Sequence, residues 1–245
     1  MSGLCIATNY VSNDSTYQFS YPVYSLSSGN WQTSPQPIPS DAQSLLAFQA
    51  VGVNGTATGS VGTVTYGCYL PGATQPSGTT TFNFSDPFSG SGSCSSSTTV
   101  PNLSVNQTMG PTGDSDYALT FTWTVSTQIT NGMIVQVSGA EAQYLILMGQ
   151  ACQLPDSTTI TNLFTSAAAG NVIPILQSQL NAIPGGPPVT SGATLVQNGA
   201  QVCLSSWGQL CWIVSPQVFG EYGFNWDNIQ PAPAQLPPQG LDITS

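Results

Sequence analysis

Apolar and polar residues alternate over residues 16–21, Thr-Tyr-Gln-Phe-Ser-Tyr, with the period of a half-buried strand. The same alternation runs over 45–53, 62–70, 79–84 and 117–125, and clusters of Gly, Pro, Ser and Asn separate these segments as turns do. Several short strands at this spacing predict a sandwich or barrel. Beyond residue 128 the pattern changes. Residues 133–137 and 142–148 are apolar runs of strand length, whereas 158–183 carries Ile160, Leu163, Phe164, Ala167, Ile175, Leu176 and Leu180 at helical spacing. Asp156 or Ser157 is the expected N-cap, and Gly170 and Pro174 should break the stretch into two short helices. Pro184-Gly185-Gly186-Pro187-Pro188 stops it. In 201–214 two apolar runs flank a Gly-containing turn, and the Pro-rich tail 230–239 reads as extended chain.

The expected fold is therefore mainly β, an antiparallel β-sandwich with an additional C-terminal region of short helices and a hairpin. Its division is 1–127 for the sandwich and 128–245 for the rest: strands, short helices over 158–183, the hairpin 201–214 and the tail, packed on the sandwich. No motif of 20–50 residues repeats, so a solenoid is not expected.

Charge alters the picture more than any motif. The chain has ten Asp and Glu and no Lys, Arg or His, so 4% of it is charged, against about 25% in an ordinary domain. Nucleic acid is excluded as a partner, because cationic side chains supply most of that affinity. Polybasic attraction to an anionic membrane is absent too. So are a Schiff-base lysine, an arginine clamp and a Ser–His pair. No run approaches the roughly 20 apolar residues of a membrane span, and residues 1–10 show no recognisable secretory signal.

The acids are Asp14, Asp41, Asp86, Asp114, Asp116, Glu141, Asp156, Glu221, Asp227 and Asp242. At neutral pH they give a net charge of −10, which keeps molecules apart. Unperturbed carboxylates titrate near pH 4. An ordinary protein passes through zero charge on acidification and becomes strongly positive; this one discharges and stays near neutral. Asp86, Asp114, Asp116, Glu141, Glu221 and Asp227 are the candidate pH-responsive groups. Resistance to trypsin-like cleavage is the other reading of the missing bases.

Six cysteines, Cys5, Cys68, Cys94, Cys152, Cys203 and Cys211, show no CxxC spacing and have no histidine to join them at a zinc site. A three-residue loop over Ser206, Trp207 and Gly208 would set Cys203 opposite Cys211 across the hairpin, which makes them the candidate intrachain pair. Cys5, near the terminus, and Cys94, within a Ser/Gly-rich run, read as exposed thiols. They suit bonds between molecules, or internal staples of loose segments. Five Asn-X-Ser/Thr sequons, at Asn13, Asn54, Asn83, Asn102 and Asn106, permit glycosylation without requiring it.

Paired carboxylates are the remaining chemistry-bearing pattern. Glu221 and Asp227 lie among Tyr222, Phe224 and Trp226, as an acid–base pair on a sugar platform would. Core aromatics beside exposed acids explain the same residues. Asp114 and Asp116 follow Gly110-Pro111-Thr112-Gly113 as turn acids do, and they lack the spacing of an EF-hand. No catalytic, cofactor-binding or metal-binding residue is assigned, and the chain is not expected to be an enzyme.

The segment from Gly29-Asn30-Trp31 through Pro35-Gln36-Pro37-Ile38-Pro39, Ala47-Phe48-Gln49-Ala50 and 58–66 to Phe82-Asn83-Phe84-Ser85-Asp86-Pro87-Phe88 resembles aegerolysins and bacterial insecticidal crystal proteins. Shared features are a G-x-W strand, a Pro-Ile turn, a G-x-x-G-x-V-x-Y strand pair and an aromatic strand ending in D-P-F, over about the first 125 residues. The resemblance implies a sandwich of two antiparallel sheets and, in some members, lipid binding or toxicity with a partner protein. In composition and cysteine content the chain is similar to crystal-forming fungal vacuolar proteins, which serve gravity sensing. The expected function is self-association, with copies of itself as the partner, into disulfide-linked, acid-favoured assemblies or crystals in an acidic vacuole or other oxidising compartment. The alternative is a lipid- or glycan-binding toxin component, with secretion as the alternative location.

Overall fold

Strict alternation produces two facing sheets in the first half of the chain. The fold is that of a computed structural model, in which residues 4–54, 56–111 and 118–245 are described. Two compact units divide at Gln128. The first contains β1 (Ile6–Asp14), β2 (Gln18–Ser28), β3 (Asn30–Thr33), β4 (Ala42–Val51), β5 (Ser60–Tyr69), β6 (Gly78–Asp86), β7 (Ser93–Thr98), β8 (Leu103–Pro111) and β9 (Ala118–Thr127). They form a five-stranded sheet, β3-β4-β1-β9-β8, and a four-stranded sheet, β2-β5-β6-β7. Neighbours are antiparallel except β1 and β9, which run parallel. This is the antiparallel sandwich expected, mainly β throughout.

The inward faces are aromatic. Val64 and Tyr66 of β5, Phe82 and Phe84 of β6, and Phe121 and Trp123 of β9 are buried, while the intervening residues are half-exposed. Phe82 and Trp123 meet edge-on at 5.0 Å, joining the sheets. The Trp123 indole donates from Nε1 to Asn9 Oδ1 at 3.1 Å, so the one polar atom of a buried ring is satisfied. Strands β1, β7 and β8 lie outside the predicted segments, and β3 matches the G-x-W strand of the resemblance. β1 buries Thr8, Asn9 and Asn13, which disguises its alternation, and the Ser/Asn-rich β7 and β8 read as turns.

The second unit contains β10 (Ile134–Val137), β11 (Gln143–Leu147), β12 (Gln150–Leu154), α1 (Ser157–Leu163), α2 (Ser166–Gly170), β13 (Val172–Ile175) and α3 (Gln177–Ala182). It continues with β14 (Thr194–Asn198), β15 (Gln201–Ser206), β16 (Gln209–Trp212), α4 (Pro216–Glu221) and β17 (Gln230–Pro231). Asp156 caps α1, its carboxylate accepting from Thr159 N at 2.7 Å. Where two helices were expected in 158–183, three short ones form, and Pro174 sits inside the edge strand β13, where a proline is tolerated.

These elements are a duplication. The two sheets have matching orders, β12-β11-β10-β13 and β16-β15-β14-β17, each with one parallel pair at its end. Pro184 O accepts from Ala151 N, and Ala151 O from Gly186 N; Pro238 O and Gly240 N repeat both bonds on Leu210. Asp156 caps the helix after the first sheet and Ser215 the helix after the second. No solenoid is built, as expected, and the repeated unit is longer than the 20–50 residues considered from the sequence. The copies meet reciprocally: Phe164 pairs with Phe224, Thr165 N donates to Gly223 O at 3.0 Å, and Asn225 N donates to Leu163 O at 2.9 Å. That is the pattern of a two-fold interface, here within one chain.

The hairpin departs from expectation by one residue. Trp207 and Gly208, both with positive φ (53° and 68°), form a two-residue turn of the type that matches strand twist. Ser206 therefore faces Gln209, Leu204 faces Cys211 and Cys203 faces Trp212. A one-residue change of register reverses the face of a side chain. Cys203 and Cys211 consequently point to opposite sides of the sheet, and the proposed pair is not brought together.

Phe224 is buried, stacks on Phe164 at 5.6 Å and also packs against Phe219 and Tyr222. Phe224→Ala is expected to cost about 3–5 kcal/mol, measured by urea unfolding; a loss under about 1 kcal/mol would contradict its place at the joint between the copies.

Candidate functional site

Carboxylates here can be satisfied only by neutral donors. Asp14 accepts from Gln43 Nε2 at 2.7 Å and Glu221 from Gln217 Nε2 at 2.9 Å. Asp156 accepts from Thr159 N and from Ser191 Oγ, which holds its carboxyl below the usual range. Glu141, Glu221, Asp227 and Asp242 are exposed. Tyr222 and Phe224 are core residues and cannot form a sugar platform beside Glu221 and Asp227; the exposed Trp226 stacks on Phe219 at 3.9 Å. Asp114 and Asp116 lie outside the described residues. Among the described residues no group of three or more Cys, Asp or Glu could hold a metal ion, and no helix is long and apolar enough to cross a membrane.

Asp86 is the exception among the acids. It ends β6 with its side chain inward, 3% exposed, and Oδ2 has no hydrogen-bond partner. Burial pushes its carboxyl up to about 6, against a partial opposing effect from the Ile6 backbone N–H. Beside it lies Cys5, which is buried rather than exposed as the sequence suggested. Its carbonyl accepts from Gly52 N and Ser60 Oγ, so the segment entering β1 is pinned into the sandwich.

All six cysteines are free thiols, and burial raises the pKa of each. Cys68, hydrogen-bonded to Thr80 Oγ1 at 3.2 Å, is pushed up to about 11. At neutral pH they are protonated and poorly nucleophilic. Only Cys94, half-buried on β7, has appreciable exposure.

The duplication creates a site that the sequence patterns did not reveal. An apolar cleft of about 300 Å³ in the second unit is lined by Met148, Gln150 and Cys152 from one copy and by Trp207, Gln209 and Cys211 from the other. Leu241 and Ile243 close one side, and no lining residue is charged. Gly186 and Gly240 make room for the sulfurs: a Cβ on either would fall 2.5 Å from Cys152 Sγ or 2.7 Å from Cys211 Sγ. The indole of Trp207 is fixed by its Nε1 donating to Pro188 O at 2.7 Å. Such a cleft suits a small neutral, largely apolar molecule. The signal available in sequence was the pair Met148-Gly149-Gln150-Ala151-Cys152 and Trp207-Gly208-Gln209-Leu210-Cys211.

The pH dependence of Asp86 has a definite sign. Its folded pKa lies above the unfolded value of 3.8, so its contribution is fully present below about pH 4 and is lost as the pH rises through about 6. The unfolding free energy from urea titrations is expected to rise on acidification from pH 7 to 4.5, by about 2 kcal/mol from this residue. Asp86→Asn should abolish that part of the rise. An unchanged pH slope in the variant would contradict the assignment.

No family model matches the chain, and no curated protein matches it. Among solved structures, it is similar to the RahU protein, crystallised in complex with a TRIS molecule. The identity is 15%, the match covers 53% of this chain and 98% of that chain, and the TM-score is 0.36.

Proposed function

We propose that this chain is a structural protein that associates with copies of itself, in an assembly gated by the charge of its carboxylates. The observation that carries this reading is the inventory of ten acids and no basic side chain. Protonation removes the repulsion between molecules without creating a positive charge to replace it. The buried Asp86 supports the same direction, since acid stabilises the fold that must associate. Disulfides enter on narrower terms than six cysteines suggest. Cys94 is the half-exposed thiol, and two Cys94 residues from different molecules can join by passing two electrons and two protons to an oxidant such as molecular oxygen. An acidic compartment such as a vacuole fits the charge step; the disulfide step needs an oxidant and is slowed by acid, which keeps the Cys94 thiol protonated. In composition and cysteine content the chain resembles the fungal vacuolar crystal protein octin, and use as a dense crystal for gravity sensing is part of this proposal.

A second reading, a lipid- or glycan-binding toxin component of aegerolysin type, rests on the resemblance over about the first 125 residues; the apolar cleft of the second unit lies outside that segment. Saturable binding to sphingolipid vesicles or to a glycan array, by a protein that stays monomeric, would favour it over self-association.

Light scattering from pH 7 to 3, with and without dithiothreitol, tests the proposal. Large particles should form on acidification and dissolve at neutral pH. A fraction that needs reductant to dissolve should disappear in Cys94→Ser. A monomer at every pH under oxidising conditions would overturn the proposal.

A further inference from the structure

The outer face of the sheet β2-β5-β6-β7 is a neutral hydroxyl and amide array. Register sets its side chains in rows across the strands. One row is Ser25, Thr63, Asn83 and Ser95; the next is Val23, Thr65, Thr81 and Ser97; a third is Val61, Ser85 and Ser93. Hydrogen bonds run along the rows, from Thr63 Oγ1 to Asn83 Oδ1 at 2.8 Å, between Thr65 and Thr81 at 2.9 Å, and from Asn83 Nδ2 to Ser95 Oγ at 3.3 Å. Ser25, Ser27, Asn83, Ser93 and Ser95 surround a shallow depression of about 340 Å³ on this face. The four strands hold one acid, Asp86, and it is buried on the inward side. In a chain with a net charge of −10, these rows are free of carboxylates.

We infer that this face is where two copies of the chain meet. Hydroxyls and carboxamides each donate and accept, so an array of them is complementary to a second copy of itself. An ionised carboxylate accepts only, and a face bearing ionised carboxylates repels its own copy. Strand spacing of about 4.8 Å gives the rows a regular pitch that a copy related by a two-fold axis reproduces. Half-buried Cys94 lies opposite Phe84 and packs toward the core, so its thiol is on the other side of the sheet from these rows. The inference rests on the self-association reading and names its surface.

The test uses the full chain under the acidic conditions in which the native protein associates. Ser95→Arg and Ser85→Arg each place on the face a cation that acid does not remove. Gln217→Arg, at an exposed position in the second unit, makes the same change in net charge elsewhere. Circular dichroism and urea midpoints establish that each variant is folded. The face variants should raise the concentration for half-association about tenfold, a factor typical of one disrupted contact; Gln217→Arg should not. Association of both face variants at the native concentration would overturn the inference while leaving self-association intact. A native chain that never associates defeats the self-association reading itself. Binding of cellohexaose by a monomeric native chain, lost in Ser95→Arg, would show that a sugar occupies the face and would also overturn the inference.

Discussion

With no Lys, Arg or His, no carboxylate in this protein can be paired with a cationic side chain. The constraint reaches into the fold. Each acid must remain in water, as Glu141, Asp227 and Asp242 do, accept from a neutral donor, as Asp14 does from Gln43, or lie buried with a raised pKa, as Asp86 does. Stability then rests on backbone ladders, neutral hydrogen bonds and apolar packing. In the sandwich the junction is Phe82 against Trp123, with the indole proton on buried Asn9. In the second unit it is the reciprocal Phe164–Phe224 pairing, closed by two backbone bonds.

A protein built this way responds to pH unlike most. Acid ordinarily weakens a fold by protonating carboxylates held in ion pairs. Asp86 works in the opposite sense, because the folded state binds its proton more tightly than the unfolded state does. Asp156, held low by Ser191 and the backbone of α1, is the counterexample: its contribution is lost as the pH falls below the ordinary carboxylate range. Between those limits the molecule loses charge while the sandwich gains stability. Under the proposed self-association, solubility would fall before the fold is threatened, the order that association of native molecules requires.

The alternating strands were legible because most of their inward residues are apolar: β5 alternates from end to end and β9 from Thr120 onward. β1 was hidden by its buried Asn9 and Asn13, whose partners, Trp123 and the carbonyls of Tyr17 and Pro39, come from elsewhere in the chain. The duplication escaped notice because its copies lie about 60 residues apart, beyond the usual 20–50-residue periods. It is kept mainly by backbone geometry, with few shared residues such as Gly149-Gln150 and Gly208-Gln209. Cys203 and Cys211 were misplaced because one residue of turn length decides the face of every side chain that follows. The terminal position of Cys5 suggested exposure, whereas bonds to Gly52 and Ser60 draw it inside.

The central claim is that protonation removes repulsion and puts no opposite charge in its place. The osmotic second virial coefficient, measured by static light scattering from pH 7 to pH 2 at constant ionic strength, addresses it directly. The account predicts a positive value at pH 7 that turns negative as the carboxylates discharge near pH 4 and remains negative at pH 2. A coefficient positive at every pH, or one that becomes positive again at pH 2, would contradict it.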